Sequence, residues 1–171
     1  MSPPLAIQWP FKGFDQERQR LLAQAREKMY LYADPDITAV GEIHATTAFG
    51  FDVLMSGEAW PHNDPTFEKW SALWVLHASE GHVLGIANHL PPQISDYAKP
   101  LQRPTHAPGL MQFQMETGSL ILMNIHCTHW VDMAKDKSNL LVASISFDRH
   151  PSQKKVETTY RELIRSQLRA C

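Results

Sequence analysis

The chain has 171 residues, 43% of them hydrophobic, which suits a single domain over residues 1–171 with a sizeable buried core. Its 16 basic and 18 acidic side chains leave a formal charge of −2, so no broad positive field is available for nucleic acid or an anionic membrane, and a small-molecule or peptide substrate is expected instead. Two cysteines, Cys127 and Cys171, are no disulfide framework and suit a reducing, cytoplasmic setting; Met1–Leu5 shows no leader pattern, and no apolar run approaches the roughly twenty residues of a membrane span.

Residues 1–13 hold Pro3, Pro4 and Pro10 beside Trp9 and Phe11, a pattern that excludes a regular helix or a central strand and predicts a packed arm. From Asp15, read as an N-cap, good helix formers continue to about residue 30. Leu21, Leu22, Ala25 and Met29 make one apolar stripe on that helix, as a buttress against a sheet requires. Short β-type runs follow at Ile37–Ile43 and Phe49–Met55, with His44 read as a loop residue between them.

Trp70–Ala78 is apolar at successive positions and reads as a strand buried on both faces. His82–Asn88, just past Gly81, is expected to pair with it as a hairpin. His77 and His82 read first as core or hairpin-end histidines. Positions 91–109, with five prolines and Gly109, form an irregular excursion that is either a lid over a site or a wrapper around the sheets. Strands at Met111–Met115 and Leu140–Phe147 flank a run, Gly118–Asn124, that is the most strand-like in the chain. The tail, about residues 152–170, is helical, with Val156, Tyr160, Leu163 and Ile164 on one face and Arg161, Arg165 and Arg169 on a solvated one. Many short strands over about residues 37–150, with a helix at each end, predict a mainly β, jelly-roll-like scaffold with helical buttresses.

Chemistry concentrates in two places. In His62-Asn63-Asp64, residues two apart on a strand would share a face, so an imidazole and a carboxylate could converge on one ion. The strand from Gly118 runs through Ile125-His126-Cys127-Thr128 and delivers His129 beside Trp130. Two histidines and one carboxylate, with open positions left on the ion, are the ligand set of non-haem Fe(II) oxygenases. With nine histidines in the chain the tripeptide alone is a weak signal; the downstream strand strengthens it. Trp60, Trp74 and Trp130 are candidate apolar walls and equally candidate core residues.

Over about residues 40–150 these motifs resemble the 2-oxoglutarate and Fe(II)-dependent dioxygenases of the double-stranded β-helix (cupin-like) fold. The family's His-x-Asp falls on His62-Asn63-Asp64, its second histidine on His129, and its final strand on Val142-Ala143-Ser144-Ile145-Ser146-Phe147. Two departures stand out: Ser119 replaces a common Asp, and Val142 stands where a cosubstrate-binding Arg is expected. The resemblance implies Fe(II) held by His62, Asp64 and His129. It also implies 2-oxoglutarate as cosubstrate and a dioxygenase that removes hydrogen from an unactivated C–H bond. His77, thirteen residues after Asp64, assisted by Ser144, is the substitute anchor for the cosubstrate that one branch of the fold suggests. Two other readings accommodate Val142: a cupin-like iron enzyme that does not use 2-oxoglutarate, and a non-catalytic metal-binding protein on the same scaffold.

Overall fold

The computed structural model describes residues 2–30, 42–46, 52–56, 59–88, 106–132, 134–136 and 138–169. Among the described residues, ten strands and two helices run β1 (Ala6–Pro10), α1 (Asp15–Tyr30), β2 (Glu42–Thr46), β3 (Asp52–Ser56), β4 (Ala59–His62), β5 (Trp70–His77), β6 (Val83–Ala87), β7 (Met111–Gln114), β8 (Ser119–Asn124), β9 (Thr128–Asp132), β10 (Leu140–Phe147) and α2 (Gln153–Arg169). They build a six-stranded sheet, β1-β8-β5-β10-β3-β2, and a four-stranded sheet, β4-β9-β6-β7, with antiparallel neighbours throughout. The fold is mainly β, a jelly-roll architecture carrying two helices. No helix among the described residues is long and apolar enough to cross a membrane.

Strict alternation along β5 and β10 divides the interior in two. Trp70, Ala72, Trp74 and Leu76 of β5, with Leu141 and Ala143 of β10, face the helices, where they meet Leu21 and Ala25 of α1 and Val156, Tyr160 and Ile164 of α2. Leu73 and Val75 of β5, with Leu140 and Val142 of β10, face the smaller sheet and meet Leu84 and Ile86 of β6. Because both faces of β5 are covered, its sequence is apolar at successive positions, as expected for a central strand.

Several expectations change in detail. The proline-bearing arm is an edge strand: β1 pairs with β8 and ends on Pro10, where the missing N–H costs the ladder least. Asp15 is the first residue of α1 rather than its cap. The first helical amide bond runs from Arg18 N–H to Phe14 O, and the Asp15 carboxylate accepts instead from Arg18 at 2.8 Å. His44 lies within β2, opposite Leu54 of β3, so it is no loop residue. Residues 31–41 and 89–105 lie outside the described set, and with them the start of the run at Ile37 and most of the proline-rich excursion.

The expected β5–β6 hairpin does not form. β5 pairs with β8 and β10, whereas β6 pairs with β7 and β9 in the other sheet. The turn through Gly81, at φ +99°, therefore carries the chain from one sheet to the other. Both edges of β5 are occupied, by β8 over Trp70–Trp74 and by β10 along Trp70–His77, which leaves β6 no edge to join.

Gly118 has a local role. The bond from Ser119 N–H to Glu116 O closes a four-residue turn whose third place needs a positive φ, and Gly118 stands there at +87°. α2 is capped by Ser152, whose hydroxyl accepts from Lys155 N–H at 3.0 Å. Its buried Tyr160 hydroxyl lies 2.7 Å from Ala72 O and 3.1 Å from Ala143 O, which ties the helix to two adjacent strands. Arg161, expected on the solvated face, lays its guanidinium over the Phe11 ring at 5.7 Å.

Candidate metal centre

The two histidines are brought together by register. His62, the last residue of β4, is paired directly with His129 of β9, and the ring centroids stand 4.3 Å apart. Directly opposite residues in an antiparallel pair hold their side chains side by side on one face. Asp64 arrives differently from the expectation of a shared strand face. β4 ends at His62, and Asp64 lies in the following turn, held by its own N–H to Ile125 O and by its O accepting Thr66 N–H, both at 2.9 Å. Pro65 follows and has no N–H with which to extend the ladder.

The turn returns the carboxylate to the imidazoles. Asp64 Oδ2 is 3.3 Å from His129 Nε2, and Oδ1 is 3.8 Å from His62 Nε2. All three donor atoms lie within 4.8 Å of one another. Donors bonded at about 2.1 Å to one ion stand roughly 3 Å apart at a right angle, so the Asp64–His129 pair is already near that spacing and the wider pairs would draw together around a shared divalent ion. The His129 side chain is 6% exposed, against 37% for His62 and 43% for Asp64, so the group is walled on one side and open on the other. That is the arrangement of a site with free coordination positions.

Surrounding bonds orient the donors. His129 Nδ1–H donates to Cys127 O at 2.9 Å, which leaves Nε2 as the lone-pair atom turned toward Asp64. His126 sits in the β8–β9 turn rather than on a strand, and its Nε2 lies 2.8 Å from Thr66 O. It therefore braces the Asp64 turn against the turn that delivers His129, while Asn124 Oδ1 accepts the His126 N–H at 3.1 Å. Trp130 points to the opposite face of β9. A Cβ built on Gly85 would lie 2.0 Å from the Trp130 ring, so the indole occupies the place a side chain there would take.

The three donors stand at one end of a cavity of about 380 Å³ between the sheets. Alternate residues of β10, Ser146, Ser144, Val142 and Leu140, form one wall, so Ser144 and the valine at the expected arginine position both face the cavity. The other proposed anchor, His77, is not brought there. It ends β5 at the far side of the sheet, with Nε2 3.4 Å from Ser79 Oγ, and does not line the cavity. Burial and the nearby charges of Arg26 and Arg18 hold its pKa below the ordinary value, the reverse of what a bound carboxylate would do. Of the tryptophans, Trp74 belongs to the core under the helices, Trp130 is among the lining residues although its ring turns away toward Gly85, and the Trp60 side chain lies outside the described set.

Ser71 is a lining residue that sequence reasoning passed over. Its hydroxyl is 3.1 Å from that of Ser144, and its signal was available: a polar residue at an inward position of a strand that is apolar up to its terminal His77. Thr66 and Glu68, from the turn after Asp64, complete the rim and carry no pattern that alternation could reveal.

No protein-family model matches the chain, and no curated protein matches it in sequence. Among solved structures the chain is similar to the crystal structure of the non-heme alpha-ketoglutarate-dependent epimerase SnoN from nogalamycin biosynthesis. The two are 13% identical, the match covers 82% of this chain and 77% of that one, and the TM-score is 0.53. At that identity the likeness carries the fold alone.

Proposed function

We propose that residues 1–171 form one domain of a non-haem Fe(II) dioxygenase that uses a 2-oxo acid to hydroxylate an unactivated C–H bond of a small molecule or peptide. The observation that carries this reading is the meeting of His62, Asp64 and His129, one side open, in the lining of a cavity between the sheets. The fold likeness to an alpha-ketoglutarate-dependent enzyme supports the same class. Fe(II) bound there would offer open positions at which a chelating 2-oxo acid and dioxygen react.

The chain's own part is binding, orientation and exclusion of water. His62 and His129 supply neutral Nε2 donors and Asp64 the anionic one. Cys127 O keeps His129 in the required tautomer, and the braced turn keeps Asp64 in reach. Ser71 and Ser144 offer hydroxyls to the oxygen atoms of a bound ligand. 2-Oxoglutarate is the 2-oxo acid implied by the family resemblance. A cytoplasmic setting and the lack of any nucleic-acid partner belong to the same proposal.

Calorimetry with Mn(II), a redox-silent stand-in, should find one site per chain, abolished in Asp64→Ala and severely weakened in His62→Ala and His129→Ala. Equal affinity in all four proteins would sink the metal site. Oxygen uptake by the Fe(II)-loaded protein should require a 2-oxo acid; metal binding without any such uptake would leave a metal-binding protein on an oxygenase scaffold.

A further inference from the structure

We infer that the 2-oxo acid accepted by this site carries a neutral, apolar side chain in place of the second carboxylate of 2-oxoglutarate. The inference rests on the iron-oxygenase reading above and concerns the far end of the same cavity. Its direction is set by backbone bonds. Asp64 N–H donates to Ile125 O, Ile125 N–H to Lys69 O, and Lys69 N–H to Phe147 O, so the Phe147 end of β10 lies beside the metal turn. Going inward from there, the lining residues of β10 are Ser146, Ser144, Val142 and Leu140, and those of β5 are Ser71 and then Leu73. Two adjacent strands thus change from hydroxyl to aliphatic with distance from the metal. At about 3.4 Å per residue, Leu140 is roughly 20 Å along the strand from Ser146.

The lining there includes Leu73, Leu84, Met115, Leu140 and Val142, none more than 7% exposed. A carboxylate placed among them loses its hydration and gains no cationic partner among the described lining residues, whereas a hydrocarbon tail of the same size gains by burial. Charge reinforces the point. Apart from the two histidines, the charged side chains among the described lining residues are Asp64 and Glu68, both of the sign that would repel a second carboxylate. The Ser71–Ser144 hydroxyl pair sits between the two ends and can donate to the oxygen atoms of a chelating head, but it carries no charge to balance a distal anion.

The test compares two ligands of nearly equal shape on the Mn(II)-loaded full chain by calorimetry: 2-oxoglutarate, and 5-methyl-2-oxohexanoate, in which an isopropyl group replaces the distal carboxylate. The expected result is binding of the apolar acid at least about tenfold tighter. Val142→Arg, or Ser144→Arg where the first variant does not fold, should reverse the order by supplying the missing cation. Equal or tighter binding of 2-oxoglutarate to the unaltered protein overturns the inference, as does binding of Mn(II) with neither acid. Loss of Mn(II) binding itself would instead bring down the metal site on which the inference stands.

Discussion

The two faces of the large sheet do different work, and they differ residue by residue along the same strands. On the helix side, Ala72 and Ala143 are fully buried beneath Tyr160, and Trp74 packs edge-on to Phe11 and Tyr160 with ring centroids 5.7 and 6.0 Å away. On the other side, their immediate neighbours Leu73, Val142 and Ser144 border an internal cavity that ends in His62, Asp64 and His129. Close packing on one face lets the other face hold empty volume beside a cluster of polar groups, because a core filled to crystal-like density can offset a cavity elsewhere. Stability and chemistry should therefore be separable by substitutions one residue apart.

The sharpest break of the helix-side core is Trp74→Ala. It should cost about 3–5 kcal/mol in urea unfolding, and the fraction that stays folded should keep wild-type Mn(II) affinity. A weakened metal site in that fraction would mean the two faces are coupled. Gly85→Ala tests the reverse. Its methyl would collide with the Trp130 ring, so about 1–3 kcal/mol of overpacking strain is expected. Because Trp130 follows His129 on β9, this variant should also weaken Mn(II) binding, which calorimetry would read.

Tyr160→Phe removes the hydroxyl that reaches Ala72 O and Ala143 O and leaves both carbonyls without that donor. A loss of about 1–2 kcal/mol with unchanged metal affinity is expected.

The smallest effect is a pH dependence at His82, which is not among the cavity-lining residues. His82 is fully buried; its Nδ1 accepts Ser79 N–H and its Nε2–H donates to Ser138 O, both at 3.0 Å. Burial, first of all, holds its pKa below the ordinary 6.5, with the charge of His77 acting in the same direction. Between the lowered folded value and 6.5 the unfolded chain binds more protons, so stability rises with pH in that window. The contribution should be complete above about pH 6.5 and decline as pH falls below it. Urea titrations of metal-free wild type and His82→Asn from pH 8 to 5 should show the acid-side loss reduced in the variant; parallel curves would remove His82 as its source.

Much of this could be read from the chain. Residues of one type recurring every second place identify an inward strand face, and residues recurring at three and four identify a helix face. So β5, β8, β10, α1 and α2, the choice of His62, Asp64 and His129 as candidate ligands, and the inward row Val142-Ser144-Ser146 all follow from local pattern and motif. The pattern could not tell that β5 gives its edges to β8 and β10 while β6 crosses to the other sheet, that Asp64 reaches the imidazoles from a turn held by Ile125, or that His77 lies away from the cavity while Ser71 lies in it. Alternation records which way a side chain faces relative to its own backbone. Which strand lies opposite, and how far along it a residue falls, depends on competition among all strands for edges of matching length, and only the assembled sheets decide that.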